Sequence, residues 1–252
     1  MMEGKVIVIT GGSQGIGKAL ALNLASKGCK LVLAARTAKT LDLAVKECGE
    51  NIAIGVVTDV TNKSDHEALL ARALTVFGRV DVWVNNAGAG LCKLKLDLTE
   101  EDFDLMMSVN CKSVLYGMQT IIPYFKQQSR GHVINVTSLL SHMPTAAPLY
   151  SMYSASKAAL NSLTANMHTD IQKEGYKKIQ ISLFIPGLTA TDFAANAINS
   201  VGNDNMTNPY AQPVNDVAKK IVQLIHTRKP VMYSKFIYYI LVVVFSLTSS
   251  FK

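Results

Sequence analysis

The sequence predicts an α/β fold: a doubly wound parallel sheet of about seven strands, with helices on both faces. Three observations predict it. Short, near-continuous apolar runs alternate with stretches whose apolar residues recur at helical spacing. The apolar runs lack a polar side, which is the pattern of strands buried on both faces by crossover helices. The 252 residues contain no internal repeat and no low-complexity linker. One domain over residues 1–235 is therefore expected, followed by an apolar tail over 236–252.

The elements follow in order. Val6–Thr10 is a short β-rich run, and Lys18–Ser26 has helical character. Leu31–Ala35 is the second strand and Thr40–Cys48 the next helix. Ile52–Val57 reads as the third strand. Lys63–Phe77 is amphipathic, with Leu69, Leu70, Ala73 and Phe77 on one side. Val80–Val84 is a fourth strand, and Phe103–Phe125 a long helix. His132–Val136 is a fifth strand, Tyr153–Glu174 a second long helix, Gln180–Ile185 a sixth strand, and Pro230–Tyr233 the last. Right-handed crossovers between parallel strands give the doubly wound order. Residues 194–213 break the pattern with five asparagines and few large apolar residues, and read as a substrate lid.

Composition excludes several classes. Hydrophobic residues make up 49% and charged residues 17%, enough for a large core and too apolar for disorder. The net charge is +7, but the basic residues are scattered, so a solvated basic surface is expected and nucleic acid is not. Cys29, Cys48, Cys92 and Cys111 form no CxxC pair and no Cys/His cluster, so no metal site is expected. The thiols suit a reducing compartment, with Cys29 and Cys111 as packing residues. Residues 5–10 read as a strand, not as a signal peptide.

The first chemical motif lies between the first strand and the first helix. Thr10-Gly11-Gly12-Ser13-Gln14-Gly15-Ile16-Gly17 has the spacing GxxxGxG. Glycines permit a tight turn and close approach of the backbone to a pyrophosphate, and a helix N-terminus offers free N–H groups. The second strand ends Ala34-Ala35-Arg36-Thr37, without the acid that binds a ribose 2′-hydroxyl. Arg36 presents a planar fork suited to a 2′-phosphate, which points to NADP(H) over NAD(H).

Three more motifs follow in order: Asn85-Asn86-Ala87-Gly88 after the fourth strand, Ser138 after the fifth, and Tyr153-Ser154-Ala155-Ser156-Lys157 at the start of a long helix. With the glycine turn they resemble the short-chain dehydrogenase/reductase family over about residues 4 to 233. The resemblance implies a Rossmann-like fold and, within the family, an NADP-preferring branch that includes membrane-associated carbonyl and hydroxysteroid reductases. It implies that Asp59-Val60 contacts adenine and that Asn86-Ala87-Gly88 packs beside the adenosine ribose. It implies that Asn110 holds a proton-relay water, and that Pro186-Gly187-Leu188-Thr189-Ala190-Thr191 cradles the nicotinamide, with Thr189 and Thr191 as hydroxyl contacts. Homodimers or homotetramers through the two long helices are also a family habit.

Tyr153 and Lys157 stand four apart, so one helix face presents both. A free phenol titrates at about 10, and a neighbouring ammonium is expected to lower that value. Tyr153 is then the general acid in carbonyl reduction and the general base in alcohol oxidation. The resemblance adds a contact from Lys157 to the nicotinamide ribose. Ser138 is expected to hydrogen-bond the substrate oxygen. It lies fifteen residues before Tyr153, a longer separation than is usual in the family, and Ser141, twelve before, is the alternative. Ser138 is preferred because Val136-Thr137-Ser138 ends the strand directly.

The expected function is thus NADP(H)-dependent exchange of hydride with a carbonyl or secondary alcohol. The segments expected to line the pocket are apolar or small, which suggests a lipophilic substrate. A catalytically silent NADPH sensor and a membrane or oligomer scaffold are the alternatives. The stretch from Phe236 to Phe245 carries no charge and is shorter than the roughly 20 residues of a spanning helix. Three placements fit it: packing on its own domain or a second copy, lying in a membrane interface, or serving as a short tail anchor. The expectation adopted is membrane association, with the chain in the cytoplasm or on the cytosolic face of an intracellular membrane such as the endoplasmic reticulum.

Overall fold

A computed structural model describes residues 2–200 and 208–248. Seven strands form one parallel sheet: β1 (Val6–Thr10), β2 (Lys30–Ala35), β3 (Ala53–Val57), β4 (Val82–Asn85), β5 (Gly131–Val136), β6 (Ile179–Ile185) and β7 (Val231–Tyr233). Their order across the sheet is β3-β2-β1-β4-β5-β6-β7. The chain winds outward from β1 through β2 to β3, then returns to the other side of β1 at β4. Loops leaving β1 and β4 diverge at their carboxyl ends, which opens a crevice at that edge.

Both faces of the sheet are covered, as the unbroken apolar runs require. On one face Ile7 and Ile9 of β1 pack with α1 (Gly15–Ala25), α2 (Ala38–Cys48) and α7 (Val214–Thr227). On the other face Val8 packs with α3 (Lys63–Phe77), α5 (Ser113–Gln128) and α6 (Ser151–Lys173). Alternate residues of one strand thus feed two separate cores. All four cysteines are buried free thiols.

Two elements differ from the sequence expectation. Helix α7 was not assigned, although Val217, Ala218, Ile221, Leu224 and Ile225 recur at helical spacing and are buried in the first core. The helix expected over Phe103–Phe125 begins earlier and is not uniform. It comprises α4 (Glu100–Met107), a π-helical turn over Ser108–Lys112, and α5. Thr99 and Asp102 form a reciprocal capping box that sets its true start. Part of the expected lid, residues 201–207, lies outside the described residues, while residues 194–200 fold back on the β4 loop. Ile198 N donates to Gly90 O at 2.9 Å and Cys92 N to Ile198 O at 2.9 Å. The apolar tail forms helix α8 (Phe236–Thr248).

Candidate active site

The glycine turn has the geometry that its spacing foretells. Gly11 has φ +66° and Gly15 φ +54°, conformations that a side chain disfavours. A Cβ on Gly17 would stand 2.1 Å from Gly11 O, so the turn and the helix start touch backbone to backbone. The turn is clasped from β4: Asn86 Nδ2 donates to Thr10 O at 3.0 Å and to Gly11 O at 3.2 Å. Thr10 Oγ1 accepts from Asn86 N and Ala87 N at 3.0 and 3.1 Å. Gln14 caps α1 without a side-chain hydrogen bond, and the first turn of α1 holds no acid. Its N–H groups remain available to an anion.

Two further loops complete the crevice. Arg36 lies exposed one residue beyond β2. Asp59, after β3, accepts from Thr61 N at 3.0 Å and Thr61 Oγ1 at 2.7 Å. These bonds, and to a lesser degree the Arg36 charge, hold its carboxyl below the usual carboxylate range. Val60 is fixed behind it by a 3.0 Å contact from its carbonyl to His66 Nε2. Across the cleft, Thr191 Cγ2 would lie 3.6 Å from a Cβ on Gly15, so the β6 loop meets the glycine turn. Thr189 Oγ1 donates to Gly187 O at 2.9 Å and Thr191 Oγ1 accepts from Phe193 N at 3.4 Å, which shape the turn from within. Leu139 N donates to Pro186 O, joining this turn to the Ser138 loop. These uncovered N–H groups and Cβ-free approaches fit a dinucleotide.

The catalytic candidates converge at the carboxyl ends of β4 and β5. Asn110 is fully buried within the π turn, a device common at functional sites. Its Oδ1 accepts from Ala89 N at 2.9 Å, and its Nδ2 donates to Ala89 O at 2.9 Å and to Ser156 Oγ at 3.1 Å. The side chain therefore braces the β4 loop against α6. A Cβ on Gly88 would lie 3.0 Å from Asn110 Oδ1 and 3.4 Å from Lys157 Nζ, so the bare glycine lets the loop rest on both.

Tyr153 and Lys157 are buried on one face of α6. The Tyr153 ring leans on Phe193, with centroids 5.4 Å apart, and its phenol is hydrogen-bonded to Ser138. Lys157 Nζ lies 5.9 Å from the Tyr153 ring centroid and donates to Val136 O at 3.0 Å. Burial pushes the phenol up to about 12, opposed by the Ser138 bond. It pulls the Lys157 ammonium down to about 8. Desolvation is the largest cause at both groups, so in the protein alone Tyr153 lies above its ordinary value and the expected acidification by Lys157 is not among the effects on it. Ser141 is differently engaged: its hydroxyl donates to Ser138 O and accepts from Asn161 Nδ2 at 2.8 Å.

Asn161 was missed from the sequence. Its Oδ1 also accepts from Thr137 Oγ1 at 2.7 Å, so it ties both sides of the Ser138 loop to α6. The available signal was its position, one helical turn beyond Lys157 on the same face. Phe193 and Tyr238 were missed too. Tyr238 of α8 seats on Gly187, where a Cβ would come within 2.4 Å of its ring.

A doubly wound parallel sheet, a glycine turn at its switch point, and a Ser-Tyr-Lys group on the same edge, its Tyr153 and Lys157 buried, define a dinucleotide-dependent α/β enzyme. A family model described as short chain dehydrogenase matches residues 5–201, and the chain belongs to that family. It is 36% identical over 190 residues to an uncharacterized oxidoreductase of Staphylococcus haemolyticus, covering 75% of this chain and 80% of that protein. Its fold matches a short chain dehydrogenase/reductase from Burkholderia phymatum in complex with NAD, with a TM-score of 0.87, 27% identity, and 98% and 94% of the two chains covered. It also matches an alcohol dehydrogenase from Thermococcus sibiricus complexed with 5-hydroxy-NADP, with a TM-score of 0.78, 26% identity, and 92% and 96% covered. The chain is thus an oxidoreductase of a family that works with pyridine nucleotides.

Proposed function

We propose that the protein exchanges hydride between NADP(H) and a carbonyl or secondary alcohol of a lipophilic substrate, with Tyr153 as general acid and base. The observation that carries this reading is the buried Tyr153 phenol, bonded to Ser138 and flanked by Lys157 at the edge of the crevice. The nicotinamide, when bound, supplies hydride to the carbonyl carbon.

The protein's part is the proton and the orientation. The hydroxyls of Ser138 and Tyr153 offer two hydrogen-bond donors to one carbonyl oxygen. As charge develops on that oxygen, Tyr153 gives up its phenolic proton, and solvent restores it after turnover. A phenol pushed up to about 12 remains protonated at neutral pH, the state that reduction needs. Lys157 is the nearby cation that favours the phenolate once formed. Asn110 and Asn161 hold the loops on either side.

Arg36, with no acid at the end of β2, supports the 2′-phosphate form of the cofactor. The surroundings of Tyr153 support an apolar substrate. Phe193 and Tyr150 contact its ring, and Met152, next to Tyr153 in the chain, forms a small apolar cluster with Leu91 and Met106. The test is a panel of lipophilic ketones with NADPH, followed by absorbance loss. NADPH oxidation that requires both ketone and Tyr153 is expected. Absence of turnover across the panel, with cofactor bound, would leave the sensor reading in its place.

A further inference from the structure

Helix α8 is attached along one side, where the Tyr239 ring also meets Tyr233 of β7, with centroids 5.8 Å apart. Tyr238, Val242 and Phe245 are half-buried, and Tyr238 rests on Gly187. Phe236, Ile237, Ile240, Leu241, Val243 and Leu247 are exposed, Phe236 at 76% and Leu247 at 74%. At about 100° per residue these six spread over roughly 160° of the helix, opposite the attached stripe. Exposed apolar area of this size on a soluble domain marks a docking surface.

The surface continues onto the protein. Leu94 and Leu96 follow β4, and Leu188 and Tyr210 follow β6. All four are exposed, Leu96 completely. In a parallel sheet the loops after β4, β6 and β7 leave from one edge, so this rim and α8 stand on the side where the crevice opens. The charge fits one kind of partner. Residues 217–252 contain six Lys or Arg and no Asp or Glu, Lys235 immediately precedes α8, and the whole chain carries +7.

We propose that α8 and the adjoining rim dock on an anionic phospholipid surface, with α8 lying in the interface. A partner helix packs along a stripe of about 100°, narrower than the exposed arc, whereas lipid wraps an arc of any width. The 13 residues of α8 extend about 20 Å, short of the roughly 30 Å hydrocarbon core. Among the described residues no helix is long and apolar enough to cross a membrane. Phe236 and Tyr239, with Lys235, lie at the start of the helix, where aromatic and basic side chains favour the headgroup region. A site that opens toward lipid would receive a lipophilic substrate directly.

The test measures binding, not turnover, so it stands or fails separately from the proposed reaction. The full chain is co-sedimented with vesicles of phosphatidylcholine, with and without phosphatidylserine. The expected result is binding to the phosphatidylserine vesicles that weakens as salt rises. In the double variant I240E/L247E, binding should fall about a hundredfold or more, with an unchanged circular dichroism spectrum. Should that variant misfold, Lys235→Gln probes the charge contribution with the apolar arc intact, and binding should fall about fivefold. The proposal is overturned if the chain stays in solution with phosphatidylserine vesicles, or if neither variant weakens binding. It is also overturned if α8 mediates a dimer of two copies that excludes lipid.

Discussion

Replacing Tyr153 with phenylalanine removes a single oxygen from a buried ring. The contacts with Phe193 and Tyr150 involve the ring itself and survive the change. What is lost in the protein alone is the hydrogen bond to Ser138. Such a bond has a net worth of about 0.5–1.5 kcal/mol, part of which returns because a buried phenol no longer needs satisfying. In a domain of this size that corresponds to a melting shift of about 6 °C at most. The Tyr153→Phe variant should therefore fold, and it should bind NADPH as the parent does, since the glycine turn and Arg36 are untouched. Turnover is another matter. A positioned general acid contributes about a hundredfold to ten-thousandfold, so ketone reduction should fall by that factor. Cofactor binding is read by fluorescence titration, and turnover by NADPH absorbance. If the variant reduces ketone within about tenfold of the parent rate, Tyr153 is not the proton donor.

The other predictions concern neighbouring groups. Ser138→Ala should lower kcat by about a hundredfold, and Ser141→Ala by less than about tenfold, because only Ser138 reaches the phenol. Comparable losses in a steady-state assay would contradict the assignment. Arg36→Asp should raise the Kd for NADPH by about tenfold or more relative to NADH, and an unaltered preference would remove the basis for NADP(H). Lys157 in the free protein loses its proton near pH 8, so kcat/KM for the cofactor should decline as pH rises through that value. A profile flat between about pH 7 and 10 would show that the ammonium is not required.

Much of the candidate site could be read along the chain because its parts are local. The glycine turn needs only neighbouring residues with no side chain, and a YxxxK pair needs only one helical turn to share a face. Arg36 and the missing acid could be read in the same way, from their place after a strand. The fold class was legible because both faces of the sheet demand apolar residues, and strands buried on both faces show this as unbroken runs. Helix α7 was legible too, since its buried positions recur at helical spacing.

Sequence alone thus determined the type and order of most elements and the placing of Tyr153 and Lys157 on one helix face, because hydrophobic period and short motifs are properties of neighbouring residues. Only the tertiary structure distinguishes the surroundings of Ser138 from those of Ser141, since Asn161 reaches across from α6 to engage the second serine. It also decided the electrostatics: the distance between Tyr153 and Lys157 along the chain says nothing of water, and exclusion of water is the largest effect on both groups. The same holds for the tail, whose apolar residues were plain in the sequence. Which of them seat on Gly187 and which face outward depends on β7 delivering α8 to the edge of the crevice.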